Sequence, residues 1–159
     1  MILGIGELSA TRTPGDCLKT LALGSCVGIV AVDLYTKTVG MVHIALPDSK
    51  INTDYKPLKA GYYADTAVPA LLAAMRDAGS ITPVRDLRFK LAGGANVLEA
   101  GVIFDIGNRN IRAIREIFAT IGLRSVAEDI GGNISRTLTI DVDTGTLLIS
   151  CPGVGTWKI

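Results

Sequence analysis

The sequence has one histidine, three cysteines, one tryptophan and no excess of either charge. Sixteen basic against fifteen acidic residues leave a formal charge of +1, so no long-range field draws the chain to nucleic acid or to anionic lipid. The longest uncharged apolar stretch, residues 20–32, holds thirteen residues with Gly24, Ser25 and Gly28 among them. A spanning helix needs about 20, so no membrane insertion is expected. Residues 1–10 carry no basic leader, and no signal peptide is expected. Cys17, Cys26 and Cys151 cannot all pair with one another and form no C-x-x-C unit, which excludes the usual zinc and disulfide frameworks and suits a reducing, cytoplasmic setting. With 159 residues and 48% hydrophobic content, one domain spanning 1–159 without a linker is expected.

What is present is a set of short β-branched runs, turn signals and two helical patterns. Residues 3–8 read as an opening strand thinned by Gly4 and Gly6, followed by a turn at Thr13, Pro14, Gly15 and Asp16. Residues 17–23 alternate loosely into the turn Gly24, Ser25, Cys26. Residues 27–34 read as a buried strand, 35–38 as a hairpin loop and 39–46 as the returning strand. The stretch to Gly61 is polar and irregular, and a loop of that length is more often functional than filler. Asp65 or Thr66 then suits the cap of a helix running to Ala78, with Val68, Leu71, Leu72 and Met75 inward, Pro69 in the first turn and Gly79 as the stop. Leu87, Phe89 and Leu91 alternate into Gly93 and Gly94. Residues 96–107 fit neither period. Asn108 suits the cap of a second helix, with Ile111, Ile114, Ile117, Phe118 and Ile121 inward and Gly122 as its stop. Strands are expected at 125–128, 137–142 and 146–150, the last two joined by Asp143, Thr144 and Gly145. The pattern is α+β: packed, largely antiparallel β-sheets flanked by two main helices. No internal repeat or low-complexity tract interrupts it.

The chemistry concentrates in residues 20–43. A thiol attacks only as thiolate, so its proton must be taken by a neighbour or its pKa lowered. His43 is the one side chain whose ordinary pKa lies near neutrality, and antiparallel pairing around the 35–38 loop brings Cys26 and His43 towards each other. Such a base needs a third group on its other ring nitrogen. Thr20, on the preceding strand, offers a hydroxyl or a backbone carbonyl for it. Gly24 lets the N–H groups around Ser25 and Cys26 converge as an oxyanion hole would require. Beside this stands a plainer reading, in which Cys26 is a small core residue and His43 a hydrogen-bonded structural histidine. Gly93-Gly94 and Gly131-Gly132 match no phosphate loop and read as turns.

The blocks LGSCVGI, VGMVHIALPDS, YADTAVPALL, LAGGANV, IGNRN and EDIGGNISR, in that order from about residue 4 to about residue 149, resemble the CheD family of chemoreceptor glutamine deamidases. The resemblance implies a fold similar to the catalytic domain of cytotoxic necrotizing factor toxins. It also implies a catalytic set of Cys26, His43 and Thr20, with no metal or organic cofactor. The implied substrates are glutamine side chains on the helices of methyl-accepting chemotaxis receptors, and the implied second partner is a CheC-type phosphatase. An alternative is a non-catalytic adaptor that regulates such a phosphatase. Docking on helices calls for apolar side chains on exposed loops near the site. Val102, Ile103 and Phe104 are the candidates, with a core role as their alternative.

Overall fold

The structure, a computed structural model, describes residues 1–51, 59–96 and 105–159. Among the described residues, ten strands form two five-stranded sheets. One has the order β1 (Ile2–Leu3), β3 (Cys17–Leu23), β8 (Arg136–Asp141), β9 (Leu147–Cys151), β10 (Gly155–Lys158). The other runs β2 (Leu8–Thr11), β5 (Thr38–Ile44), β4 (Val27–Asp33), β6 (Arg88–Gly93), β7 (Ser125–Ile130). Among the strands of the described residues, β1–β3 and β6–β7 pair in parallel and the rest antiparallel. The helices are α1 (Ala64–Asp77) and α2 (Ile106–Thr120). The expected α+β arrangement of packed, mostly antiparallel sheets with two helices is what the chain forms.

Three layers follow from the pleat of β4 and β5. Val27, Ile29 and Ala31 of β4 and Val42 and Ile44 of β5 face α1 and α2, packing on Leu71, Met75, Ile114 and Phe118. The alternate residues, Val30, Val32, Val39 and Met41, face the other sheet and pack on Leu18, Leu138, Ile140 and Ile149. Every residue of both strands is buried, which is why they read as continuous apolar runs rather than as alternation. Each fully buried Leu or Ile here contributes about 1.5–3 kcal/mol. The outer sheet has a wet face, so β8 and β9 alternate between buried and half-buried positions.

Several local expectations need correction. Residues 3–8 are not one strand: a turn closed by Glu7 N–H on the Gly4 carbonyl (3.0 Å) sends β1 into one sheet and β2 into the other. Helix α1 begins earlier than a cap at Asp65 or Thr66 would place it. Its N-cap is Tyr63, with no side-chain cap, because both polar side chains are engaged elsewhere. Asp65 accepts from Ser49 N–H and Oγ–H, and Thr66 donates to the Ala60 carbonyl. Pro69 therefore lies beyond the first turn, inside the helix, on an exposed face. Helix α2 is capped by Asp105, whose carboxylate accepts from Asn108 N–H (3.2 Å), so Asn108 lies in the first turn instead of capping it. Strand β10 carried no local signal. It forms because Gly155 to Lys158 find the free edge of β9.

Candidate functional site

Thr20 and His43 come from different sheets and meet in the layer between them. On β5, Val39, Met41 and His43 share the inter-sheet face, and on β3 Leu18 and Thr20 do. Both polar side chains are buried, Thr20 completely and His43 at 4% exposure. The chain crossover between β1 and β2 fixes them: Gly6 N–H donates to the His43 carbonyl (2.9 Å) and His43 N–H donates to the Glu7 carbonyl (3.0 Å).

The hydrogen bonds settle the imidazole tautomer. The Thr20 hydroxyl has one proton, and a carbonyl can only accept, so that proton goes to the Leu3 carbonyl at 2.9 Å. Thr20 Oγ1 therefore accepts from His43 Nδ1–H at 2.7 Å. Nε2 is left with its lone pair, buried and without a hydrogen-bond partner among the described residues. Burial also pushes the His43 pKa below its ordinary value of 6.5, so the ring is neutral and Nε2 is a base.

Cys26 lies on the same face as His43, offset across the ladder. Gly28 pairs with His43, and Cys26 stands two positions before Gly28, immediately ahead of β4, against the same inter-sheet core. Cys26 is half-buried and packs against the inter-sheet core. Burial raises its thiol above the ordinary value of 9.0, partly offset by its own N–H. The resting pair is thus a thiol and a neutral imidazole. The Thr20–His43 bond is formed, whereas Cys26 Sγ makes no hydrogen bond to Nε2.

The turn at Gly24 and Ser25 is held by its carbonyls. Gly24 O accepts from Ala95 N–H and Cys26 O from Gly94 N–H, both at 2.7 Å, and Ser25 O accepts from Asn110 Nδ2 at 3.0 Å. Among the described residues, the N–H groups of Ser25 and Cys26 have no acceptor on another residue. The left-handed residue nearby is Ala22 (φ 52°), not Gly24. Ala22 sits in a β-bulge where three steps on β3, Thr20 to Leu23, match two on β8. The bulge lets Thr20 and Leu23 both face inward.

Sequence reasoning missed the supports of this turn. Gly93 and Gly94 are left-handed (φ 111° and 67°), and a Cβ on Gly93 would lie 2.3 Å from the Cys26 carbonyl oxygen. They form a turn, as expected, but one that docks on the cysteine. Behind it, Gly131 N–H donates to Gly93 O, and the buried Arg136 bonds Asp129 at 2.8 Å and the Gly131 carbonyl at 2.9 Å. Trp157 Nε1 completes the group on Asp129 (2.6 Å). Two signals stood in the sequence. Asn110 lies four and eight residues before Ile114 and Phe118 on the inward stripe of α2, and Arg136 heads the buried alternation of Leu138 and Ile140. Val102, Ile103 and Phe104 fall outside the described residues. No group of acidic, histidine and cysteine side chains suited to a metal ion occurs among the described residues, and no described helix is long and apolar enough to cross a membrane.

Comparison with known proteins places the chain in a family. A model of the family described as CheD chemotactic sensory transduction matches residues 45–151, a span that includes Asn110 and the Gly93-Gly94 turn. The probable chemoreceptor glutamine deamidase CheD of Syntrophotalea carbinolica is 46% identical over 159 residues, covering 100% of this chain and 98% of its own. The chemoreceptor glutamine deamidase CheD of Thermotoga maritima is 39% identical over 154 residues, covering 97% and 93%. That of Symbiobacterium thermophilum, a probable one, is 40% identical over 156 residues, covering 96% and 93%. These spans include the stretch that holds Thr20, Cys26 and His43.

Proposed function

The chain belongs to the CheD family, and from that membership we propose that it is a protein-glutamine amidohydrolase, converting glutamine side chains of chemotaxis receptors to glutamate. Cys26 is the nucleophile, His43 the base and Thr20 the residue that fixes the base. The observation that carries this reading is the oriented imidazole. Its Nδ1–H is committed to Thr20 and its Nε2 lone pair is unpartnered, on the sheet face that Cys26 shares.

As the thiol attacks the side-chain amide carbon, its proton passes to Nε2 and a C–S bond forms. Catalytic hydrogen bonds that are open in a free enzyme commonly close in the substrate complex. The imidazolium then protonates the amide nitrogen, the C–N bond breaks and ammonia leaves a thioester. Water, deprotonated by Nε2, attacks the thioester, and the carboxylate and thiol are released. No redox partner is needed. Since burial disfavours both charged forms, the proton moves with the attack instead of resting beforehand as a thiolate–imidazolium pair.

The substrate is a helix, so docking apolar surface should lie near the site. Ile2, Ile5 and Leu21 are exposed on or beside the β1–β3 pair that carries Thr20, and they support a helix-docking face there for a receptor or for a CheC-type phosphatase. In a pure adaptor, replacing Cys26 would cost no activity. Ammonia release from a purified receptor fragment tests this: it should occur with the wild type and vanish with Cys26→Ala at unchanged thermal stability. Equal release from both proteins would exclude Cys26 as the nucleophile.

A further inference from the structure

Asn110 stands on α2, 85 residues from the cysteine turn in sequence, yet its side-chain amide touches that turn and the end of the histidine strand together. Nδ2 donates to the Ser25 carbonyl at 3.0 Å and to the Ala45 carbonyl at 2.9 Å. Two carbonyl acceptors require the NH₂ end of the amide to face them, so its orientation follows from the network. Asn110 is fully buried, and its Oδ1 has no partner among the described residues.

The Ser25 carbonyl belongs to the same peptide unit as the Cys26 N–H. In a planar trans peptide these two groups point in opposite directions. Anchoring the carbonyl on Asn110 therefore aims the Cys26 N–H away from the helix. The neighbouring peptide is treated alike: the Gly24 carbonyl is anchored on Ala95 N–H (2.7 Å), which aims the Ser25 N–H. Two consecutive N–H groups are thus oriented from behind and, among the described residues, donate to no other residue. That is the arrangement an oxyanion site needs, with donors fixed before the charge arrives.

We propose that Asn110 is a positioning residue for the oxyanion site, holding the Ser25–Cys26 peptide so that the Cys26 N–H meets the oxygen of the tetrahedral intermediate. Its second bond, to Ala45, ties the same amide to the chain two residues beyond His43. The oxyanion donor is thereby fixed from one buried side chain. Helix α2 can approach this closely because Gly107 lies against the Gly94 carbonyl, where a Cβ would stand 2.4 Å from the oxygen. The unpaired Oδ1 marks the cost of the arrangement: the amide is placed to serve two carbonyls, not to satisfy itself.

This inference rests on Cys26 being the nucleophile of an amidohydrolase. It separates oxyanion stabilisation from thiol reactivity, and the two can be measured separately. Alkylation by iodoacetamide displaces iodide at a methylene carbon and develops no oxyanion, whereas amide hydrolysis does. Asn110→Ala, assayed on a receptor fragment, should lower kcat roughly ten- to hundredfold, with KM and the rate of Cys26 alkylation unchanged. Asn110→Asp keeps the volume but replaces the donor with an acceptor, and should show the same split. It serves as the primary variant where Asn110→Ala does not fold. Unchanged kcat in a folded variant overturns the inference. So does a parallel fall of turnover and alkylation, which would mean that the residue only holds the loop together. A wild-type protein without any turnover would instead overturn the amidohydrolase reading and this inference with it.

Discussion

At the tip of the β4–β5 hairpin, the buried Asp33 carboxylate accepts from Tyr35 N–H, Thr36 N–H, and the hydroxyls of Thr36, Ser80 and Thr82. By the opposite end of the same hairpin, two buried polar atoms, His43 Nε2 and Asn110 Oδ1, have no partner among the described residues. Both ends carry polar groups out of water, where an unpaired one costs about 1–3 kcal/mol. Only the tip is fully satisfied. A saturated cluster closes a turn and pins it to the segment that follows α1, and nothing is left over to react. An unsaturated one keeps a lone pair available beside a thiol, and the stability forgone there is what leaves chemistry possible.

Substitutions at the two ends should therefore part company, activity failing at one and stability at the other. Cys26→Ala should bring ammonia release to background while the melting temperature stays put; appreciable residual turnover would break the contrast. His43→Gln should lower kcat about 10²- to 10⁴-fold. In the wild type, the acid limb of kcat should fall below pH 6.5, because burial lowers the His43 pKa and the base stays neutral further into acid. An acid limb above 6.5 would contradict that assignment.

Asp33→Ala should act on stability alone. It strips five donors of their acceptor, for a loss of about 3 kcal/mol in urea unfolding, with kcat unchanged in the folded fraction. A fall in kcat of the same size would mean that the tip reports on the site after all. Thr20→Val keeps the shape but removes both hydroxyl bonds. A kcat about tenfold lower is expected, corresponding to about 1.4 kcal/mol of lost orientation. Acid should separate the ends as well. His43 is lowered from 6.5, so its contribution to stability is present above that pH and is lost as pH falls below it. The Asp33 carboxyl is held far below its ordinary 3.8 by its hydrogen bonds, despite burial, and its contribution is lost only below that value. Between pH 7 and pH 5 the urea midpoint of the wild type should decline, and that of His43→Gln should decline less.

The hairpin, both helices and the last β-turn-β unit were legible because each is written in neighbouring residues: the β-branched run 27–34, the inward stripe Ile111, Ile114 and Phe118, the turn at Asp143 to Gly145. Helix starts were less so. Asp65 and Thr66 look like caps locally, but Ser49 and Ala60 take them, and those partners are distant in sequence. That Cys26 and His43 stand at the same end of the hairpin could be read from the hairpin alone, although Gly28, not Cys26, is the residue that pairs with His43, and Thr20 from the need for a third group. Its hydroxyl, not its carbonyl, proved to be the one used. Asn110, the docking of the Gly93-Gly94 turn on Cys26 and the Arg136–Asp129–Trp157 group were not read, since each acts on residues brought near only by tertiary structure: helix packing for Asn110, pairing of β4 with β6 for the glycines, and sheet stacking for Arg136 and Trp157. What remained in the sequence was a polar residue on an otherwise apolar face, a signal with no direction attached.

Amide hydrolysis through Cys26, at the unsaturated end of the hairpin, is the activity proposed for this chain. Mass spectrometry of a receptor fragment incubated with wild type and with Cys26→Ala reads it most directly. A gain of about one dalton at defined glutamines, the change from amide to carboxylate, is expected with the wild type and none with Cys26→Ala. The same gain with both proteins, or no gain with either, would contradict it.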